Sequence, residues 1–520
     1  MSDPVNKVVI VGGGTAGWLT AGLLAAEHRS RDESGLKVIL IESPDVSPIG
    51  VGEGTWPTMR TSLQTMGISE TDFIRNCDAS FKQGTRFNGW LSGGDEFYYH
   101  PFALPQRFHE IDLARHWQPL REHVSYADAV TPQSRVCSLA LAPKQITTPE
   151  FASALNYGYH LDAGKFSKFL EWHCVEKLGV THVVDNVVAV NAADNGDIES
   201  LSMRSGEAIH GDLFVDCTGF AGLLLGKHYE VPFRSIQDFL FNDRALAIQV
   251  PRNSPDEAIT STTLSTAQRA GWVWDIALPN RRGVGHVYSS AHTSDEEAEA
   301  DLRRYIASMA DKAFSESCTL RQIKFSPGHR EKLWHRNCVA VGLSGGFVEP
   351  LEASALVMIE LSAKMLSEQL PANRAVMDVV AKRFNDKFLY HWHRIIEFLK
   401  LHYVLSRRED TDYWRDNSSP HTVPSDLAES LELWRYQSPR YQDLFHADEL
   451  FPAASYRYVL YGMDFETEGP GERRRSDIAS RAEAESMFAE NIKSTTQMLK
   501  ALPTNRELIG KVHEFGFQKI

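Results

Sequence analysis

The segment Gly12-Gly13-Gly14-Thr15-Ala16-Gly17 sets glycines at the spacing G-x-G-x-x-G, just after the apolar run Lys7–Val11 and at the start of a second run, Ala16–Glu27. That spacing has a physical use. Gly12 permits a tight turn, Gly14 lets the backbone approach a pyrophosphate, and Gly17 allows close packing of helix on strand. Amides at the helix start, from Thr15 and Ala16, would meet the phosphates with the positive end of the helix dipole. Glu42 closes the next apolar run, where a carboxylate can accept from a ribose 2′-hydroxyl and would repel a 2′-phosphate. A dinucleotide site that disfavours NADP is expected. Two more glycine-rich segments follow, Ile49–Thr55 and Gly342–Phe347, and a further apolar run ends in Asp216-Cys217-Thr218-Gly219. Separated glycine turns suit a long cofactor contacted along its length, which favours FAD over NAD. In Gly271-Trp272-Val273-Trp274-Asp275-Ile276, a strand would put Trp272, Trp274 and Ile276 on one face. Taken alone, those indoles read as core aromatics.

The elements that must position these residues follow from periodicity. Strand Lys7–Val11, helix Ala16–Glu27 and strand Lys37–Ile41 make a βαβ opening, which calls for a parallel sheet with helices on its faces. Residues 181–217 alternate short β-rich runs (His182–Val184, Val187–Val190, Leu213–Val215) with Asn-Gly and Ser-Gly turns. Strands mixed with a charged helix, Ser294–Met309, are expected over 235–325. A buried strand, Val339–Gly342, precedes a helix, Ser354–Leu370. From Ala375 the chain reads as helical, with an apolar stripe through Ile395, Phe398, Leu399 and Leu405. Arg415–Asp426 and Glu466–Arg475 read as exposed loops. The expected fold is α/β: a discontinuous Rossmann-type FAD-binding core over 1–400, with strands inserted at about 100–150 and 226–325, and a mainly helical, substrate-covering module over 401–520.

Together these segments resemble the flavin-dependent tryptophan halogenase family. The strand Gly271–Ile276 matches its G-W-x-W-x-I signature, with Ala277 where proline is usual. Phe81-Lys82-Gln83-Gly84 resembles F-K-x-G, Tyr99-His100-Pro101-Phe102 resembles Y-H-P-F, and Phe347-Val348-Glu349-Pro350-Leu351-Glu352 resembles F-V-E-P-L-E. Thr181–Val187 and Gly211–Leu224 are similar as well, so the likeness runs from Val8 to about Tyr403. Singly, each residue also has a plain structural reading: Lys82 as a surface charge, His100 as a loop histidine, Glu352 as an acid complementing a helix dipole.

The resemblance implies that reduced FAD, oxygen and chloride or bromide generate hypohalous acid, which travels to an aromatic pocket. Lys82 would hold it there, by hydrogen bond or as a haloamine. Glu352 would stabilise the cationic ring and take its proton. His100 and Phe102 would flank an indole-like ring. Trp272, Trp274 and Ile276 would keep organic substrate off the flavin. Ser354 and Ala355 occupy the family's halide positions, Leu343 and Leu356 match flavin contacts, and Val187 matches one near the adenine end. Ala353 departs from the usual serine. The aromatic lid of the tryptophan-specific members has no clear counterpart in Pro439–Tyr461, where Tyr456, Tyr458 and Tyr461 stand, so indole or a derivative is expected to bind better than free tryptophan.

Composition limits the alternatives. A net charge of −14 argues against nucleic acid and anionic membrane surfaces as partners. No stretch approaches the roughly 18 uninterrupted apolar residues that a membrane span requires. The six cysteines lack paired spacing, so no metal site is expected and reduced thiols in a cytoplasmic protein are. With a single dinucleotide fingerprint, taken by FAD, the reduced flavin should come from a separate reductase. The oligomeric state stays open, a homodimer included. The competing readings are an FAD-dependent aromatic monooxygenase, which has no use for Lys82, and a non-catalytic flavin-binding redox protein, which has no use for Lys82 and Glu352 together.

Overall fold

The computed structural model describes residues 4–46, 52–444, 449–468 and 480–519. The chain divides into two compact units, each assembled from three separated stretches: residues 1–78, 161–236 and 325–393 in the first, and 79–160, 237–324 and 394–520 in the second. Residues beyond 400 thus group with two earlier stretches instead of forming a module apart.

The first unit is built on a six-stranded sheet in the order Trp334–His335, Cys338–Ala340, Leu213–Asp216, Lys7–Val11, Lys37–Glu42, Thr181–Val184. All its pairings are parallel except the first. The opening strand–helix–strand falls where hydrophobic periodicity puts it. The helix Thr15–Glu27 is buried from Gly17 to Ala25; it packs against the helices Ala163–Glu176 and Ser354–Glu368. Burial on several sides explains why its sequence is apolar all round. Val9, Val11, Ile41 and Phe214 form a core with Leu201 and Met203 of a small antiparallel sheet, Val187–Ala192, Ile198–Met203 and Ala208–His210.

The second unit holds a seven-stranded sheet in the order Arg321–Lys324, Arg244–Pro251, Arg281–Tyr288, Gly271–Ala277, Thr263–Gln268, Gly84–Asn88, Phe97–Pro101. Helix Asp295–Ala307 starts with a Ser294/Glu297 capping box. It packs Ala298, Leu302 and Ile306 onto Leu246, Val273 and Val284.

Several expectations need correction. Of the strands foreseen at 100–150, only the end of Phe97–Pro101 exists. The rest contains short helices, Leu113–Trp117, Tyr126–Val130 and Gln133–Ser138. Five or six residues are too few to show a helical period; of the three, only Tyr126–Val130 has a side-chain cap, Ser125 accepting from the Asp128 amide. Arg415–Asp426 is no plain loop either. Helix Asp412–Asn417 buries Tyr413 and Trp414, and the Trp414 Nε1–H donates to the Gln268 carbonyl at 2.9 Å. That tertiary anchor overrides a polar composition. Of the stripe Ile395, Phe398, Leu399, Leu405, the first three are buried in the second unit and Leu405 is half-buried. Ile49–Val51 of the second glycine segment, and most of Glu466–Arg475, lie outside the described residues; Gly52–Gly54 form a strand.

Candidate active site

In the first unit three turns leave the carboxyl ends of neighbouring parallel strands. Gly12–Gly17 follows Lys7–Val11, Cys217–Gly219 follows Leu213–Asp216, and Gly342–Gly346 comes shortly after Cys338–Ala340. Open α/β sheets bind ligands at that edge. The turns are also tied together: the Cys217 amide donates to Val11 at 2.9 Å, the Val341 amide donates to Asp216 at 3.0 Å, and the Ser344 hydroxyl donates to the Asp216 carbonyl. The Asp216 carboxylate accepts from the Thr218 amide and hydroxyl and from the Leu224 and Leu225 amides, which fixes the middle turn.

The glycine roles are visible. Gly12 sits at φ +121°, and a Cβ there would overlap the Cys217 carbonyl; one on Gly17 would overlap the Gly12 carbonyl. At Gly14 no atom stands within 4 Å of an added Cβ, so the helix start carrying Thr15 and Ala16 opens onto space. Glu42 lies beside Gly13, and its Oε2 is 3.0 Å from His182 Nε2, a partner not singled out in the sequence. Burial raises the Glu42 carboxyl above its ordinary range while the histidine opposes the shift. Open space at Gly14, helix amides and a carboxylate one strand over fit the pyrophosphate and ribose of FAD. Val187 opens the first strand of the small antiparallel sheet and is half-buried.

Glu352 is buried beneath an unusual turn. Glu352 and Ala353 both adopt left-handed backbone, at φ 65° and 55°, immediately before helix Ser354–Glu368. Such conformations cost on the order of 1–3 kcal/mol each and persist only where neighbours hold them. One holder is Trp56, whose Nε1–H donates to the Glu352 carbonyl at 2.8 Å. The helix has no side-chain cap. Ser354 is buried and Ala355 exposed. A cavity of about 40 Å3 lies between this helix start and the Gly342–Gly346 turn, lined by Leu343, Phe347, Ser354, Ala355 and Met358 among others. Leu356 is buried one residue further on. A roomier groove of about 880 Å3, edged by Arg75, Lys168 and Trp172, contains none of these residues.

In the second unit Lys82 ends the strand Ser80–Lys82 and is only 1% exposed, which removes the reading of it as a surface charge. Its Nζ lies 5.4 Å from the centre of the Phe102 ring. The hairpin of Gly84–Asn88 with Phe97–Pro101 brings the two together, and the Phe102 amide donates to the Gln83 carbonyl at 3.0 Å. Gly84 is required at φ +150° because a Cβ would strike the His100 carbonyl. Lys82 pairs with Gly158 on the neighbouring strand, so His160, two residues on, is its diagonal neighbour. Burial, and then the charge of Lys82, hold His160 well below its ordinary pKa; its Nε2 sits 2.9 Å from the Thr263 hydroxyl. His100 is oriented by the Ser455 hydroxyl at 2.9 Å and packs near Phe398 and Tyr458.

Trp272 and Trp274 lie on the strand Gly271–Ala277, 6.4 Å apart, and both are buried, as is Ile276. Trp274 crosses over Gly285, where a side chain would collide with the indole. The intervening Asp275 locks the strand to its neighbour through a bidentate pair with Arg282, at 2.9 and 2.5 Å.

Fold and site define a nucleotide-binding protein with a dinucleotide seat of the Rossmann type. The tryptophan halogenase family model matches residues 7–477, and the chain belongs to that family. It is 34% identical over 479 residues to the 7-chloro-L-tryptophan 6-halogenase KtzR of Kutzneria sp. (strain 744), covering 88% of this chain and 90% of the relative. Among solved structures, a tryptophan halogenase from Shewanella frigidimarina is 50% identical with a TM-score of 0.96, covering 100% of this chain and 99% of the other. BrvH, a flavin-dependent halogenase from Brevundimonas sp. BAL3, is 32% identical with a TM-score of 0.85, covering 98% and 99%. The protein is thus a flavin-dependent halogenase that uses FADH2 and halide, takes its reduced flavin from a separate reductase and acts on an aromatic substrate. Among the described residues no helix is long and apolar enough to cross a membrane.

Proposed function

We propose that this enzyme halogenates an indole-type ring, with Lys82 holding the electrophile and Glu352 managing ring charge and proton. The observation that carries the reading is the buried Lys82 ammonium beside the Phe102 ring. When bound, reduced FAD supplies with oxygen the oxidising power that turns halide into hypohalous acid. The Gly12–Gly17 turn, Glu42, Val187, Leu343 and Leu356 hold the flavin. Ser354 and Ala355 hold the halide at an uncapped helix start, where backbone amides and the dipole favour an anion. The nearby 40 Å3 cavity supports this, being close to one water's share of liquid volume.

His100 and Phe102 flank the ring. Lys82 orients the acid by hydrogen bond or carries the halogen as a haloamine. The ring's π electrons attack the halogen, the oxygen or amine leaves, and Glu352 stabilises the cation before removing the ring proton. Trp272, Trp274 and Ile276 form a bulky wall that keeps the organic substrate away from the flavin.

Indole or a substituted indole is the preferred substrate. The tyrosines that could grip an amino-acid backbone already have protein partners: Tyr458 donates to the Ala103 carbonyl at 2.9 Å, Tyr456 accepts from Arg394 at 2.8 Å, and Tyr461 and Thr467 share a hydrogen bond. A zwitterion left without partners costs about 1–3 kcal/mol per unpaired group. The halide is chloride or bromide. Five buried free thiols support a cytoplasmic location, and the net charge of −14 supports the absence of a nucleic-acid partner. Competition between equal concentrations of indole and tryptophan, read by chromatography and mass spectrometry, tests the preference. Faster halogenation of tryptophan at a single ring position would overturn it.

A further inference from the structure

The strand that carries Lys82 is gripped from the far end of the chain. It pairs on one side with Gly158–Asp162, through Ser80 with His160, Phe81 with Tyr159 and Lys82 with Gly158. In an antiparallel pair alternate residues turn their backbone groups away from the partner strand, and those of Phe81 are met by one side chain. Asn505 Nδ2 donates to the Phe81 carbonyl at 3.0 Å, and its Oδ1 accepts from the Phe81 amide at 3.4 Å. A carboxamide thus stands in for a third strand. Asn505 is fully buried and lies 424 residues from Phe81 in sequence.

The side chain is itself held firmly. Asn505 opens the helix Asn505–Phe515, which has a Thr504/Glu507 capping box. The Asn505 amide donates to Ala140 at 2.8 Å, and the Ala142 amide donates to Pro503 at 2.9 Å. Beyond the helix, Phe517 packs 6.3 Å from Phe81, on the face of the strand opposite Lys82, and 4.0 Å from the buried Lys144 ammonium. The Glu150 amide donates to the Gln518 carbonyl at 3.0 Å. The C-terminal partners, Pro503, Asn505, Phe517 and Gln518, lie beyond the stretch matched by the family model, which ends at residue 477.

We propose that Asn505 is a positioning residue for Lys82: its carboxamide fixes the backbone of Phe81, and so the direction in which the next residue presents its ammonium. The inference rests on the reading of Lys82 as the halogenating group. A group that must meet a small diffusing electrophile is sensitive to placement, since an error near 1 Å can cost up to about 10²-fold in rate. The effect should appear as uncoupling, with flavin reoxidised normally and the electrophile lost.

The test measures halogenated product per FADH2 consumed in folded, FAD-binding protein. Asn505→Ala should lower that ratio on the order of tenfold while reoxidation stays near wild type. Asn505→Leu keeps the size but can neither donate to nor accept from Phe81, and should fall similarly, which covers the case of an alanine variant that does not fold. Glu507→Ala loosens the same helix without touching the clasp, and should lower Tm without changing the ratio. An unchanged ratio in both Asn505 variants, or an equal fall in Glu507→Ala, would overturn the proposal. Lys82→Ala in parallel separates the two claims: if it still halogenates, the reading of Lys82 has failed; if it is inactive while the Asn505 variants stay coupled, only the clasp has.

Discussion

The Lys82 ammonium lies 5.4 Å from the centre of the Phe102 ring, where the strand Ser80–Lys82 runs into the hairpin of Gly84–Asn88 and Phe97–Pro101. A cation near an aromatic face is stabilised by about 0.5–2 kcal/mol, so the Phe102 ring steadies the buried Lys82 ammonium. Lys82→Ala should abolish halogenation while FAD affinity and flavin reoxidation stay near wild type. Stopped-flow reoxidation beside product analysis checks this, and halogenation at a comparable rate would remove Lys82 from the chemistry.

Glu352 is buried at the turn before an uncapped helix. A charge that acts only in the transition state should lower kcat by roughly 10²–10³ when removed, with a smaller change in KM. Glu352→Gln keeps the shape and loses the charge. Steady-state kinetics with excess reductase measure the split, and an unchanged kcat would leave Glu352 as a helix-start acid.

Trp56 holds the Glu352 carbonyl at 2.8 Å across two successive left-handed residues. Losing one hydrogen bond is worth about 1 kcal/mol, or roughly fivefold in rate if the turn relaxes before reaction. Trp56→Phe should lower kcat by about that factor and leave FAD binding intact. Equal kcat would mean that the turn holds itself.

Glu360, deep in helix Ser354–Glu368, receives hydrogen bonds from Ser62 at 2.8 Å and Thr58 at 3.4 Å. Burial nevertheless pushes its carboxyl up from about 4.5 to about 8. The folded protein therefore holds this proton more tightly than the unfolded chain. Below pH 4.5 the group carries no penalty; between about 4.5 and 8 stability falls as pH rises, by at most about 1.4 kcal/mol per pH unit. Glu360→Gln should gain Tm over wild type progressively across that window. A difference independent of pH would contradict the assignment.

What the sequence disclosed was local. The opening βαβ unit and its glycine turn are written in contiguous residues, because period and turn chemistry act over a few positions. Lys82, His100, Phe102 and Glu352 were legible only through segments resembling a known family. The partners that orient them were not legible: Trp56 for Glu352, Ser455 for His100, His182 for Glu42 and Asn505 for the lysine strand are all more than 100 residues away. Nothing in their immediate neighbours marks them out. A strand order placing Thr181–Val184 beside Lys37–Glu42 would have pointed to His182, but that order comes from tertiary packing.

The oxidising power of the flavin ends on a halide and then on an aromatic ring. The most direct measurement supplies enzyme, a flavin reductase, FAD, NADH, bromide and indole, and reads the product by mass spectrometry. The expected product is indole with one hydrogen replaced by bromine, shown by paired isotope peaks of nearly equal height, and no such product forms without the reductase. A product that instead gains a single oxygen atom, with bromide present and unused, would contradict it and make the protein a monooxygenase.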